Sequence, residues 1–94
     1  MDTAVYEKTC AAIREAMQSA RELAENDRLV FDLGFDSLRI ATLSIAIEEE
    51  FGAVILLNEW LSSVDDPDRL TVGSLANYLA GVTAGDAEVK HAVP

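Results

Sequence analysis

A sharp turn leads directly into a long helical run at residues 33–38, and the rest of the chain has to be arranged around this junction. Gly34 can supply the positive φ that such a turn requires. Asp36 suits the N-cap, because its carboxylate can accept from the free N–H groups of the first helical turn. Ser37 then occupies the first helical position, with its hydroxyl at the helix N-terminus. Since free N–H groups and the helix dipole favour an anion at that end, a phosphodiester placed there would be stabilised.

Apolar residues recur with the helical period along most of the chain, which predicts an all-α fold. The run 53–57 is apolar enough for a strand, but a lone strand is not stable, so we interpret it as a connector lying over the bundle. The expected architecture is a small four-helix bundle, with three main helices and a short third one. The predicted helices run from Thr3 to Ala24, from Ser37 to Phe51 with Gly52 ending it, from Asn58 as cap to Ser62, and from Thr71 as cap to Ala80 with Gly81 closing it.

The long connection over residues 25–36 is too apolar for a free loop, and we expect several of its side chains to pin it to the core. Phe31 is expected to fill the core. Phe35 either fills the core as well or shields the hydroxyl of Ser37.

The length of the chain allows one small domain. The helical period is lost after the last predicted helix, and chain ends without such a period are often frayed. We therefore predict a folded domain over residues 1–81 and a flexible C-terminal tail over residues 82–94.

The predicted helix over residues 37–51 carries two apolar stripes. At 100° per residue, one stripe is assigned to the core; its members are Ile40, Leu43, Ile47 and Phe51. A helix of so small a bundle has to expose its other face to water, and we interpret that face as a partner-binding surface beside Ser37. Its predicted residues are Leu38, Ile45, Glu48 and Glu49.

The net charge of −10, from 17 acidic against 7 basic residues, restricts the partners of the chain. Phosphates would be repelled, which argues against nucleic acid and equally against an anionic membrane. Partners with basic patches and salt-sensitive encounters are favoured. The single cysteine, Cys10, cannot form an internal disulfide, which fits a reducing compartment. With no signal peptide or spanning segment expected, we predict a cytoplasmic monomer.

The residues of the chain do not form a recognisable catalytic or metal site. A hydrolase needs a base beside its serine, but the one histidine, His91, lies in the predicted tail. One Cys and one His do not make a metal site. The carboxylates of Glu48-Glu49-Glu50 point in different directions around a helix and do not form an acid–base pair. Ser37 therefore has no activating group within its own chain.

Leu33-Gly34-Phe35, followed by Asp36-Ser37-Leu38 and later by Glu48-Glu49-Glu50-Phe51-Gly52, resembles the acyl carrier protein family, which includes the peptidyl and aminoacyl carrier domains. The resemblance spans roughly residues 3–81. In that family, the serine of the DSL motif accepts a 4′-phosphopantetheine arm from coenzyme A. Acyl or aminoacyl groups are then carried on the arm as thioesters.

The resemblance implies a discrete carrier, not an enzyme, with its cofactor attached at Ser37 between Asp36 and Leu38. The later chemistry then belongs to the thiol of the arm, and the protein supplies position and docking. The partners implied are a phosphopantetheinyl transferase, an acyl- or aminoacyl-loading enzyme, and ketosynthase, condensation or other tailoring enzymes.

Details of the motif bear on the kind of carrier. Asp36, where peptidyl carriers have a second glycine or a histidine, favours acyl over aminoacyl cargo. Arg39 and Thr42 stand where the fatty-acid carriers commonly have acids, which favours a polyketide or related natural-product pathway. The alternative is a peptidyl or aminoacyl carrier of a nonribosomal peptide pathway. The competing class is a helical interaction module without any cofactor.

Overall fold

The computed structural model describes residues 3–55 and 57–92, with the backbone alone over 84–92. In this part of the chain the apolar periods form four α-helices, and no β-strand is present. The helices are α1 (Thr3–Met17), α2 (Ser37–Phe51), α3 (Leu57–Ser63) and α4 (Val72–Ala92), and a 3-10 turn covers Pro67–Arg69. The predicted all-α fold, a four-helix bundle with a short third helix, is confirmed.

The core forms where α1 packs against α2 and against α4. Leu43 and Ile47 of α2 are fully buried as predicted, and Ile40 and Phe51 lie partly buried at the edge of the core. Burial of apolar surface contributes about 25 cal/mol per Å², so this packing is the main stabilising contact of the bundle. The fully buried large side chains on these three helices include Ile13, Leu43, Ile47, Leu75 and Leu79.

The long loop over residues 18–36 is held against the start of α4. Within it, Leu29, Leu33 and Phe35 are buried in the core, so the predicted pinning of residues 25–36 is confirmed. Carbonyl groups of the loop accept from the first N–H groups of α4, which no helical partner can satisfy. Gly73 makes this close approach possible, because a Cβ added there would lie 3.1 Å from the Glu25 carbonyl oxygen. Val72 N donates to Asp27 O at 3.0 Å, and Gly73 N donates to Glu25 O at 2.9 Å. In the opposite direction, Leu29 N of the loop donates to Leu70 O, just before α4, at 2.7 Å.

Phe31 does not fill the core, and that prediction is wrong. The chain turns tightly between Leu29 and Leu33, whose side chains point inward, so the Phe31 ring projects outward and is 58% exposed. The guanidinium of Arg28 lies 5.3 Å from the centre of that ring, a cation–π distance. Phe35, by contrast, is buried.

The first helix ends at Met17 rather than at the predicted Ala24. Gln18 adopts a left-handed conformation, with φ 55°. Its N–H donates to Glu15 O, and Ser19 N donates to Arg14 O, both at 3.1 Å. These two bonds form a Schellman motif, which usually has glycine at the left-handed position. Because glutamine stands there, no glycine marked the end of the helix in the sequence.

The other helix ends also differ from the prediction. Helix α3 begins at Leu57, so Asn58 lies inside its first turn and does not cap it. Helix α4 continues through Gly81 to Ala92, so the prediction that Gly81 closes it is wrong. Gly81 does not have a positive φ, and glycine within a helix is tolerated at a modest cost. The division into a domain over residues 1–81 and a flexible tail over residues 82–94 stays a prediction.

Candidate functional site

Ser37 is the first residue of α2, and the turn before it fixes its place. Gly34 takes a positive φ of 72°, as predicted. Asp36 has an extended backbone and caps the helix, because its Oδ1 accepts from Arg39 N at 2.9 Å. The Asp36 carbonyl accepts from Ile40 N at 2.9 Å. Ser37 is exposed, so its hydroxyl is open to a modifying enzyme beside first-turn N–H groups that favour an anion.

Arg39 ties this end of α2 to the bundle. Its Nη1 donates to the Ala16 carbonyl at 3.2 Å, at the C-terminal end of α1. A cation at that end is favourable, because the last carbonyls of a helix carry partial negative charge. The sequence marked Arg39 only as a departure from the fatty-acid carriers. Its bracing role depends on the early end of α1, which the sequence did not reveal.

An apolar cleft of about 600 Å³ opens beside Ser37, between α2, α3 and the loop. Asp36 and Ser37 lie on its rim, and buried Phe35 forms part of its wall, so Phe35 both fills the core and lines the site. The sequence did not predict the walls that come from distant segments. The lining residues are Val30, Phe35, Asp36, Ser37, Ile40, Ala41, Ser44, Asn58, Leu61 and Leu70.

A charged network holds the loop wall of the cleft to the 3-10 turn. Arg28 forms ion pairs with Asp32 at 3.1 Å and with Asp68 at 3.0 Å. Hydrogen bonds from Arg28 hold the pKa of the Asp32 carboxyl below its usual value, and the same bonds raise the pKa of Arg28. The network is exposed to solvent, so salt weakens it.

Three of the four predicted partner-surface residues lie exposed along one side of α2. Leu38 is 74% exposed and Ile45 60% exposed, and Glu49 also faces solvent. Glu48 is different, because it is half-buried and its Oε2 accepts from Ile55 N at 3.4 Å. Glu48 therefore also braces the connector after α2.

Two other features, a metal-ion cluster and a membrane-spanning helix, are not found in the part of the chain that the structure describes. Clusters of three or more His, Cys, Asp or Glu side chains that could hold a metal ion do not occur among those residues. The described helices include none that is both long and apolar enough to cross a membrane. The side chain of His91 lies outside the described residues.

Comparisons with known proteins agree with this geometry. The family described as "phosphopantetheine attachment site" matches residues 7–59, a range that contains α2 and the turn before it. The acyl carrier protein AcpXL of Rhizobium meliloti (strain 1021) is 34% identical over 65 residues, which cover 68% of this chain and 68% of that protein. No solved structure matches the chain.

Proposed function

The chain belongs to the acyl carrier protein family, and from this premise we propose that it holds acyl intermediates as thioesters on an arm attached to Ser37. The cofactor of this family is 4′-phosphopantetheine, and acyl carrier proteins interact with phosphopantetheinyl transferases and acyl-handling enzymes. We propose that the enzymes served by this chain belong to a polyketide or related pathway in the cytoplasm.

The observation that carries the proposal is the position of Ser37, exposed on the capped N-terminus of α2 at the rim of an apolar cleft. The residues present fit the group: first-turn N–H groups suit its phosphate, and Asp36 and Leu38 flank the attachment point. When attached, the arm supplies a thiol on which a thioester forms. The role of the protein is to present Ser37, to brace α2 and to offer a docking face.

We propose that the chain catalyses nothing on its own. The hydroxyl of Ser37 sits in a helical first turn with a carboxylate, Asp36, that is already committed to the helix cap. A serine needs a base to become a nucleophile. A separate transferase would supply that base, and the later bond-making would belong to the partner enzymes.

Acyl cargo is favoured over aminoacyl cargo by two observations. The relative is itself an acyl carrier protein. The cleft beside Ser37 is lined mainly by apolar side chains, among them Val30, Phe35 and Ile40. A pathway outside fatty-acid synthesis is favoured because Arg39, where those carriers commonly have an acid, braces α1 through the Ala16 carbonyl. Loading assays with acyl donors and with amino-acid-activating enzymes would separate the two kinds of cargo.

The docking face that we propose consists of Leu38, Ile45 and Glu49, with Glu48 at its edge. An exposed apolar residue near the centre of an interface usually dominates the affinity, and Ile45 has that position along α2. Acidic residues at its lower end would guide partners that carry basic patches, mainly by raising the association rate.

Intact-mass measurement tests the attachment. The full chain, incubated with coenzyme A and a promiscuous phosphopantetheinyl transferase, should gain the mass of one phosphopantetheine group. Ser37→Ala should fold normally and gain nothing. Ser62→Ala is the matched control, because Ser62 is exposed on α3 and does not line the cleft. Modification of the Ser37→Ala chain would refute the assignment, and no modification of any chain would favour a cofactor-free interaction module.

A further inference from the structure

Two polar side chains, Ser44 of α2 and Asn58 of α3, interrupt the apolar lining of the cleft away from Ser37. Other helical hydroxyls nearby bond to backbone carbonyls: Thr42 Oγ1 donates to Leu38 O at 3.1 Å, and Ser63 Oγ donates to Trp60 O at 2.7 Å. Within the described residues, the side chains of Ser44 and Asn58 form no such bond. They are donors and acceptors available to a molecule in the cleft.

Ser44 stands in register with Ser37. The two residues are seven apart, which is nearly two helical turns and about 10 Å along the axis, so they lie on the same side of α2. Between them, Ile40 and Ala41 form an apolar stretch of the same wall. Asn58 faces the cleft from α3, within a first turn that it does not cap.

The groups along a phosphopantetheine arm follow the same order, with an apolar part before a polar part. After its phosphate come a carbon with two methyl groups, a first amide, a second amide and the terminal thiol. An extended chain advances about 1.2 Å per bond. From the serine oxygen, the methyl groups are then about 5 Å away, the amides about 8 and 12 Å, and the thiol about 17 Å. Ile40 and Ala41 thus correspond to the methyl groups, and Ser44 to the amides.

This spacing shows whether the arm or its cargo would reach the polar side chains of Ser44 and Asn58. A cargo chain begins only after the thiol, which is farther from Ser37 than Ser44 is. An amide in an apolar cleft loses its water, and it is stable there only if protein groups replace the lost hydrogen bonds. Ser44 and Asn58 are the side chains in the lining that can replace them beyond the rim.

We propose that Ser44 and Asn58 form a subsite that binds the amide portion of the phosphopantetheine arm and holds the arm along the cleft. The proposal rests on attachment at Ser37. The arm then lies along the α2 side of the cleft between Ser37 and Ser44. A partner enzyme that draws the arm into its own active site has to break these hydrogen bonds.

Hydrogen exchange of the arm tests the subsite. The full chain is converted to its holo form with coenzyme A in which both pantetheine amide nitrogens are nitrogen-15, and exchange of the two amide protons is followed by NMR, with free labelled coenzyme A as reference. We expect exchange to be about three- to tenfold slower on the wild-type chain, as a hydrogen bond of ordinary net strength would produce. Ser44→Ala and Asn58→Ala should return the rates towards those of free coenzyme A.

Matched controls make the result specific. Ser62→Ala and Asn77→Ala remove the same groups from exposed sites outside the cleft and should leave the arm protected. Ser44→Thr keeps the hydroxyl and should retain slow exchange. Thermal unfolding of each variant shows that the fold is intact.

The outcomes separate this subsite from the attachment itself. A mass gain at Ser37 with exchange as fast as in free coenzyme A would refute the subsite alone. So would protection that survives both alanine substitutions, or protection that begins only after an acyl group is loaded. No mass gain at Ser37 would refute the attachment and the subsite together.

Discussion

Substitution of Gly73 by alanine tests how closely the loop wall of the cleft is held to the start of α4. A Cβ at this position would lie 3.1 Å from the Glu25 carbonyl oxygen and 3.2 Å from the Glu25 Cβ. Both distances are shorter than ordinary van der Waals contact. The added methyl group would push the loop away and strain the bond from Gly73 N to Glu25 O.

The expected magnitude combines two opposing effects. Replacing glycine by alanine within a helix normally stabilises by about 0.5–1 kcal/mol. Overpacking against backbone atoms costs about 1–3 kcal/mol. We therefore expect Gly73→Ala to lower the free energy of unfolding by about 0.5–2 kcal/mol. In a domain of this size, about 1 kcal/mol corresponds to about 4–8 °C in Tm.

Gly81→Ala is the matched control in the same helix. A Cβ added at Gly81 meets nothing within 4 Å, so the helical gain of about 0.5–1 kcal/mol should appear undiminished. Urea unfolding of the three chains gives the free energies. Amide exchange of Leu29, whose N–H donates to Leu70 O, reports on the loop itself and should become faster in Gly73→Ala only. If Gly73→Ala proves as stable as Gly81→Ala, the loop does not lie this close to α4.

Four further predictions concern the site and its surface. Ile45→Glu should slow loading by the cognate enzyme and leave Tm nearly unchanged, whereas Val54→Glu, at an exposed apolar site outside α2, should load normally. Normal loading of Ile45→Glu would exclude Ile45 as an anchor. Glu49→Lys should slow association at low salt, and stopped-flow rates should converge with wild type as salt is raised. Asp36→Ala should lower the free energy of unfolding by about 1 kcal/mol in urea titrations, through loss of the helix cap. The pKa of the Asp32 carboxyl is lowered in the folded chain. Its contribution to the free energy of unfolding is therefore present above the unfolded pKa of about 4 and is lost as pH falls through the folded pKa. Asp32→Asn should flatten the acid limb of the profile of stability against pH.

The elements with strong local signals were predictable from the sequence. Helix α2 begins and ends where its caps predicted, because Asp36 can accept from the first turn and Gly52 can take a left-handed conformation. Its inward stripe follows from the 3.6-residue period alone. The turn, with a flexible glycine and a capping aspartate, predicted that Ser37 is the first residue of α2. Its role as the attachment point was implied by the resemblance to the acyl carrier protein family.

Features that depend on tertiary contacts were not predictable. The left-handed residue that ends α1 is a glutamine, Gln18, so no glycine marked the position. The walls of the cleft come from segments far apart in the chain, such as Val30, Asn58 and Leu70. The outward position of Phe31 follows from the tight turn around it, and its apolar character pointed the other way.

The bonds between the loop and the start of α4 have a consequence for the order in which the molecule forms. They join residues that are about 40–50 positions apart, and contacts of such separation form late because a long stretch of chain must first be closed. During synthesis, α1 and α2 are complete well before Gly73 has been added. A nascent chain would therefore present a capped Ser37 before it has a finished cleft, and a transferase that needs only the serine and the helix could act before one that also needs the loop wall.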